Sequence, residues 1–367
     1  MFWLRNIKIH LFWKIYWFTL LCLVLYNEYL VHLFHSWQWS QIECLTDRCV
    51  RILLVADAQI LGNTFDTKLY WPLANYDSDR QLAITYRRAL QHAAPDVICF
   101  LGDLMDEGSM ATTDQYEEYF QRFSKIFIQP EARTSMIYIP GDNDIAGEGS
   151  ELVKEDSVER FRRYFQGQSL WMLPQGTTFY NVNRISKLMP EKYGNSNGSE
   201  LFSIVLSHIS LLKQTDDYSI QTVKAIQPDV IFSAHDHNSK FAVIRQDELG
   251  KNSLFVALNT KRKNRHDIHS FNLIELRRND QLLEISVPTC SYRMGVMKIG
   301  YGFAVLDGDT LQYTILWTSQ RFYQLALYSL LIIPLKLVCG QIWCNLLKRY
   351  WCWRCRRNRN YLPLHSN

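Results

Sequence analysis

This chain lacks internal repeats and extended low-complexity tracts, which argues against a solenoid and against a disordered scaffold. It also lacks a marked charge bias: 40 Lys and Arg against 36 Asp and Glu leave a net +4, too little to imply a nucleic-acid partner. Its nine cysteines include one Cys-x-x-Cys, Cys352 and Cys355, and no second such pair, so a four-cysteine zinc framework is excluded. Acylation beside a membrane or an ordinary interfacial position is open to that pair. No small-residue cleavage site follows the first apolar stretch, which favours an uncleaved anchor over a signal peptide. The final residues, Leu362 to Asn367, carry no readable retrieval signal.

What the chain has is 367 residues, enough for one large α/β domain with appendages, and two long apolar stretches. Residues 11–33 and 322–347 each reach the roughly 20 apolar residues that a spanning helix needs, their charged residues snorkelling outward. Arg5, Lys8 and Lys14 flank the first, and Lys348, Arg349, Arg354, Arg356, Arg357 and Arg359 follow the second. Basic flanks stay cytosolic, so residues 1–10 and the basic tail 348–367 are expected in the cytosol, with residues 34–321 in a lumen. The sequon Asn197-Gly198-Ser199 lies in that middle part and would accept a glycan there. Cys44 and Cys49 are close enough to form a small disulfide in an oxidising compartment.

Between the two stretches, apolar runs alternate with helical spacing over Asp77–Ala94, Thr113–Ile128 and Glu155–Phe165, the pattern of an α/β sheet. From Leu254 onward the runs Phe271–Leu276, Leu282–Val287, Ile299–Leu306 and Leu311–Leu316 read as extended and predict a second, more antiparallel sheet. A two-sheet sandwich with helices outside accommodates both halves. Lys187–Ser199 reads as a surface loop.

Five polar clusters end five of the apolar runs: Asp57-Ala58-Gln59, Gly102-Asp103, Gly141-Asp142-Asn143-Asp144, Ser207-His208 and His235-Asp236-His237. Ligands gather at the carboxyl ends of such strands. Hydrolysis of a phosphate ester needs an activated water and neutralisation of phosphoryl charge, and two divalent cations about 3.5–4 Å apart do both. A bridging carboxylate and neutral imidazoles make such a site. Asp103 is the expected bridge, with Asp57 and His237 on one metal and His208 and His235 on the other. This mixture of oxygen and imidazole suits manganese, iron or zinc better than calcium. Singly, each of these residues is an ordinary turn former or structural histidine.

The order of clusters resembles the calcineurin-like metallophosphoesterase superfamily, whose pattern runs D-x-H, G-D, G-N-H-[DE], a lone His, and G-H-x-H. The resemblance implies a four-layer α-β-β-α sandwich, here flanked by two transmembrane helices, and a dinuclear site. Three departures stand out. Gln59 occupies the place of a His ligand, and Ser233-Ala234-His235 replaces Gly-His. In the third cluster a gap-free match puts Asp142 on the Asn ligand and Asn143 on the catalytic His, while a one-residue shift makes Asn143 the ligand. Asp103, Asn143 and Asp144 are the expected catalytic residues, with Asp57, Gln59, Asp103, Asp142, Asn143, His208, His235 and His237 as metal ligands. Asp106, Glu107 and Asp144 are read as supporting the ligands, and Arg293 as a candidate for a substrate phosphate.

Asp-x-Gln-Ile-Leu-Gly, Gly-Asp-Leu-Met-Asp-Glu-Gly and Val-Pro-Thr-Cys-Ser-Tyr-Arg at 287–293 are similar to the metallophosphoesterase 1 subgroup. That resemblance implies removal of ethanolamine phosphate from the glycan of glycosylphosphatidylinositol (GPI) anchors. It further implies GPI-anchored proteins or GPI glycolipid as substrate, cargo receptors as partners, and residence in the early secretory pathway. Two rivals stay open: a lumenal phosphoesterase for another phosphodiester or lipid headgroup, and a non-catalytic metal-binding cargo adaptor that keeps the fold. The run Lys261-Arg262-Lys263-Asn264-Arg265 reads as a solvated loop or an anionic-ligand contact.

Overall fold

Runs rich in Val, Ile and Leu form strands, and the amphipathic segments between them form helices. The computed structural model describes residues 2–63, 71–128, 134–147, 151–166, 168–173, 175–191, 202–213, 215–251, 254–257 and 267–359. The sequon at Asn197, the basic run from Lys261 and the last eight residues lie outside them. The chain divides into two units, Met1–Val31 with Arg321–Asn367, and His32–Gln320.

The order opens with α1 (Phe2–Leu25), a π-helical turn (Tyr26–Leu30), α2 (Val31–Trp37), β1 (Val50–Val55), α3 (Trp71–Ala93), β2 (Val97–Leu101) and α4 (Thr113–Phe127). Next come β3 (Ser135–Ile139), the single-turn α5 (Asp142–Ile145), α6 (Glu155–Phe165), β4 (Leu170–Met172), β5 (Thr177–Asn181), β6 (Phe202–Leu206) and α7 (Asp217–Ile226). The rest is β7 (Val230–Ser233), β8 (Lys240–Arg245), β9 (Val256–Ala257), β10 (His269–Asn272), α8 (Leu273–Arg278), β11 (Gln281–Ser286), β12 (Gly300–Asp307), β13 (Thr310–Trp317) and α9 (Arg321–Arg359).

Two sheets carry the unit His32–Gln320: six strands in the order β10-β13-β12-β1-β2-β3, and seven in the order β4-β5-β6-β7-β11-β8-β9. Strand alternation assigns the layers. Ile52 and Leu54 of β1 pack with Ile204, Leu206, Phe232 and Ile285 between the sheets. Leu53 and Val55 face Leu82, Tyr86 and Phe123 of α3 and α4 on the outside of the first sheet. On the outside of the second, Val205 and Ile231 meet Val223 and Ile226 of α7. The result is helix, sheet, sheet, helix, the four-layer arrangement expected.

The register holds the functional ends together. β1, β2 and β3 run parallel, as do β6, β7 and β11, so each trio delivers its carboxyl ends to one edge of its sheet.

Three expectations need correction. The late strands build no separate antiparallel sheet: β12 pairs antiparallel with β1 and extends the first sheet with β13 and β10, while β11 joins β7 in the second. Phe271–Leu276 is not one extended run. Asn272 accepts a hydrogen bond from the Glu275 backbone N–H at 2.9 Å and caps a helix that starts at Leu273. α3 begins at Trp71, six residues before Asp77. Pro72 suits the first helical turn, and the Trp71 indole N–H reaches the Gly62 carbonyl at 2.7 Å, a side-chain tether that periodicity does not register.

Cys44 and Cys49 form a disulfide, as their spacing anticipated. Of the two expected spans, the N-terminal one coincides with a helix long and apolar enough to cross a membrane, Trp13–Trp37. Among the described residues, the apolar part of α9 is shorter, Arg321–Ile333. In the terminal unit, the π-helical turn carries Asn27 and Glu28, which bond Gln324, Arg321 and Tyr328 of α9.

Candidate metal centre

The site grows from loops that leave the parallel strands. Asp57 and Gln59 follow β1, Asp103 follows β2, Asp142 and Asn143 open the turn after β3, His208 follows β6, and His235 and His237 follow β7. Backbone bonds zip these loops together: Gln59 N–H to the Asp103 carbonyl at 2.9 Å, and Ala234 N–H to the His208 carbonyl at 2.9 Å. Two glycines permit the approach. A Cβ on Gly141 would meet Asp103 Oδ1 at 2.1 Å, and one on Gly102, at φ +87°, would meet His208 Nδ1 at 2.6 Å. Asp57, Gln59, Asp103, His235 and His237 all adopt left-handed backbone, with φ from 42° to 63°. Side chains rarely accept that conformation, and such strain collects at functional sites.

Six side chains make up two neighbouring groups. Asp57, Asp103 and His208 present donor atoms within 4.8 Å of one another, and so do Asp142, His208 and His235. His208 is common to both, whereas the sequence reading gave it to one side. His237 joins the first group, with Nε2 3.9 Å from Asp57 Oδ1.

The two groups differ electrostatically. Asp57 is fully buried and neither of its carboxylate oxygens has a hydrogen-bond partner. Burial, reinforced by the Asp103 charge and opposed by His208, pushes its carboxyl up to about 8. In the other group, Asp142 Oδ1 lies 2.8 Å from His208 Nε2 and 3.1 Å from His235 Nδ1. Burial works against ionisation there too, but the bonds to the two imidazoles outweigh it and hold Asp142 well below the usual carboxylate range. His208 is buried, yet the Asp103 charge and the Asp142 bond raise its imidazole well above its ordinary value. Burial and the neighbouring His235 and His208 lower His237.

A protein interior does not leave a carboxylate orphaned without cause. The unpartnered Asp57 oxygens, an adjoining carboxylate and imidazoles at ligand spacing fit divalent cations, which would replace the protons these groups hold. His208 is already oriented for that role. Its Nδ1 lies 2.8 Å from the Leu101 carbonyl, an acceptor only, so Nδ1 carries the hydrogen and Nε2 faces the acids.

The ambiguous third cluster has a clear geometry. Asp142 stands among the donor atoms, whereas Asn143 donates its backbone N–H to Asp103 Oδ1 and its amide to Oδ2, both at 3.0 Å. Gln59 does the same from the other side, its amide N–H 3.0 Å from Asp103 Oδ2. Both residues thus contact Asp103 through N–H groups, Gln59 from one side and Asn143 from the other. The Asp144 carboxylate accepts the backbone N–H groups of Gly141, Leu104 and Met105 at 2.9–3.2 Å. It holds two loops in register. Burial beside Asp103 raises it to about 7 despite those bonds.

Sequence reasoning missed the remaining supports. Thr289 gives its hydroxyl to the Asp57 carbonyl at 2.9 Å, pinning the motif at 287–293 beneath the first cluster. Glu284, fully buried, accepts the Leu212 N–H at 2.7 Å and the Ser233 hydroxyl at 2.6 Å, tying the loop after His208 to the strand before His235. A carboxylate inside the apolar run Leu282-Leu283-Glu284-Ile285 was a legible signal. The Leu101 carbonyl was not, because backbone groups leave no trace in side-chain identity.

Similarity to known proteins follows the same residues. Residues 50–239, just over half of the 367, match the calcineurin-like phosphoesterase family. The chain is 25% identical over 283 residues to the Metallophosphoesterase 1 homolog of Caenorhabditis elegans, covering 65% of this chain and 72% of that protein. It is 30% identical over 159 residues to Metallophosphoesterase 1 of Danio rerio, covering 43% of this chain and 40% of that one. A purple acid phosphatase from yellow lupin (Lupinus luteus) seeds shares 12% identity, with 73% of this chain and 52% of that chain covered at a TM-score of 0.43. On the match over residues 50–239, the chain belongs to the calcineurin-like phosphoesterases.

Proposed function

We propose that this phosphoesterase is a membrane-anchored phosphodiesterase that removes ethanolamine phosphate from the glycan of GPI anchors, with its catalytic unit in the lumen of the early secretory pathway. The observation that carries the hydrolytic part is the orphaned Asp57 carboxylate beside Asp103 and His208, adjoining the Asp142–His208–His235 group. Two divalent ions bound there, manganese being the first candidate, supply Lewis-acid polarisation of the phosphoryl oxygens and an activated water. The substrate follows from likeness to proteins named Metallophosphoesterase 1. The apolar helix Trp13–Trp37 supports anchoring, and anchoring confines enzyme and lipid-linked substrate to one surface.

The chain's own contributions can be assigned. Asp103, held by Gln59 and Asn143 and 3.4 Å from Nε2 of His208, the residue common to both groups, would bridge the two ions. His235 and His237, a quarter to a third exposed, form the open side through which a phosphodiester reaches the acids. Arg293, with its guanidinium over the Trp71 and Tyr292 rings and its charge acting on Asp106, binds a phosphoryl oxygen. No histidine stands in the third loop to protonate the leaving group. Asp106 is the acid offered in its place: burial, Glu107 and Asp103 push its carboxyl up to about 6.

The test is release of ethanolamine phosphate from a GPI glycan by the purified, metal-loaded chain. No release alongside turnover of bis(p-nitrophenyl) phosphate overturns the substrate and leaves a phosphodiesterase of other specificity. Two bound metals with no turnover of either compound point instead to an adaptor that keeps the fold, a reading that Asn143 in the histidine position favours. In that case export of GPI-anchored cargo, rather than hydrolysis, is the readout that metal-site substitutions should alter.

A further inference from the structure

A cleft elsewhere in the fold shares no lining residue with the candidate metal centre. Between the linker that follows α2 and the last turns of α3 is an open cleft of about 510 Å³, lined by Ser36, Trp37, Trp39, Gln41, Arg88, Gln91 and His92. Its volume falls in the range of small-molecule sites. Arg88, Gln91 and His92 are spaced three and four residues apart on α3 and therefore share a face. Arg88 is the one charged residue in this lining.

The polar groups around it are already arranged. His92 Nε2 lies 3.0 Å from the Ser40 carbonyl, which only accepts, so that nitrogen carries the hydrogen. Nδ1 then accepts from the Gln41 amide at 3.3 Å. Trp39 stands edge-on to His92 at 5.2 Å and is fixed by its indole N–H on the Trp317 carbonyl at 2.8 Å. Arg88 is half-buried, and among the described residues no carboxylate or carbonyl pairs with its guanidinium. A half-buried cation facing a cleft without an acid is complementary to an anion, and its planar fork suits two phosphate oxygens.

The source of that anion follows from the other wall. Trp37 is the last residue of the apolar helix Trp13–Trp37 and is 72% exposed. Tryptophan at the end of such a helix sits at the level of lipid headgroups, where phosphodiesters are concentrated. Gln41 and Gln91 add neutral donors for headgroup oxygens.

We propose that this cleft binds the phosphodiester headgroup of a membrane phospholipid, with Arg88 on the phosphate and Trp37 against the glycerol and upper acyl region. The site is independent of hydrolysis, so it stands or falls apart from the proposed substrate.

Full-length, metal-loaded protein in detergent would be titrated by calorimetry with dihexanoylphosphatidylglycerol and, separately, with sn-glycerol 3-phosphate. The expected result is saturable binding of the short-chain lipid, at least tenfold weaker in Arg88→Gln, largely restored in Arg88→Lys, and severalfold weaker in Trp37→Ala. Turnover of bis(p-nitrophenyl) phosphate should be unchanged in all three. Lipid binding equal to wild type in both Arg88→Gln and Trp37→Ala overturns the proposal. Glycerol phosphate binding as tightly as the lipid overturns it too, because the cleft would then read a free phosphate. Should Arg88→Gln fail to fold, the exposed Trp37→Ala decides alone.

Discussion

The two halves of the metal centre differ in how the protein alone satisfies them. Around Asp142 the chain neutralises its own charge, since two imidazoles hold one carboxylate at 2.8 and 3.1 Å. Around Asp57 it does not, and a fully buried carboxylate waits with both oxygens unpaired. The first half is preorganised by internal ion pairing, whereas the second sets a buried acid without hydrogen bonds beside His208 and His237. A family pattern reads both halves as ligands and misses this asymmetry, which predicts unequal metals. An ion on the Asp57 side relieves a buried, unpaired acid. One on the Asp142 side must displace protons from two histidines that already have a partner.

The largest expected effect removes the carboxylate proposed to bridge the halves. Asp103→Ala should lower turnover of bis(p-nitrophenyl) phosphate by about 1,000-fold, because two-metal clamping is worth several kcal/mol of transition-state stabilisation. Retained activity would show that the halves act separately. Next, Asp144→Asn should cost about 2 kcal/mol of stability, since an amide must aim N–H at one of the three backbone donors now facing the carboxylate. Chemical denaturation measures it, and an unchanged midpoint would discount the loop-pinning role.

Third, pH should distinguish metal-free from metal-loaded protein. Asp57 is raised from the ordinary range to about 8, so between those values the folded state holds a proton that the unfolded chain has released. Stability of the stripped protein therefore falls as pH rises toward 8. His208, raised above its ordinary value, acts in the same direction: its contribution is complete below the unfolded imidazole value and is lost as pH rises through the folded one. Bound metal replaces these protons, so the gain in Tm on adding manganese should widen from pH 6 to pH 8. A gain that narrows would contradict the raised Asp57.

The smallest effect sharpens the asymmetry. Gln59→His, which restores the residue usual in the family, should tighten the Asp57-side metal by roughly tenfold, the scale of changes around a metal shell. Metal titration reads it, and weaker binding would show that orienting Asp103 matters more than a further ligand.

Much of this was legible in the sequence because strand-end clusters are local signals. Ile52–Val55 and Val97–Leu101 ended where expected, and Asp57 and Asp103 fell just beyond them. What was not legible depends on contacts distant in the chain. Whether Asp142 or Asn143 faces the donor atoms is set by how tightly Gly141 packs on Asp103, and His208's orientation is set by a carbonyl 107 residues away. The late strands misled because an antiparallel run carries the same alternation whichever sheet it joins, and β12 found its partner in β1, at the opposite end of the unit.

The left-handed backbone at Asp57, Gln59, Asp103, His235 and His237 has an evolutionary consequence. Each such residue costs the fold of order 1 kcal/mol, and glycine at the same place costs far less. Replacing a ligand here by glycine thus abolishes chemistry while relieving strain and, at Asp57, removing a buried acid. For this chain, inactivation and stabilisation lie in the same direction. Drift that no longer selects for turnover would leave a sturdier, silent copy of the same fold, whereas selection for activity must hold five costly residues in place at once.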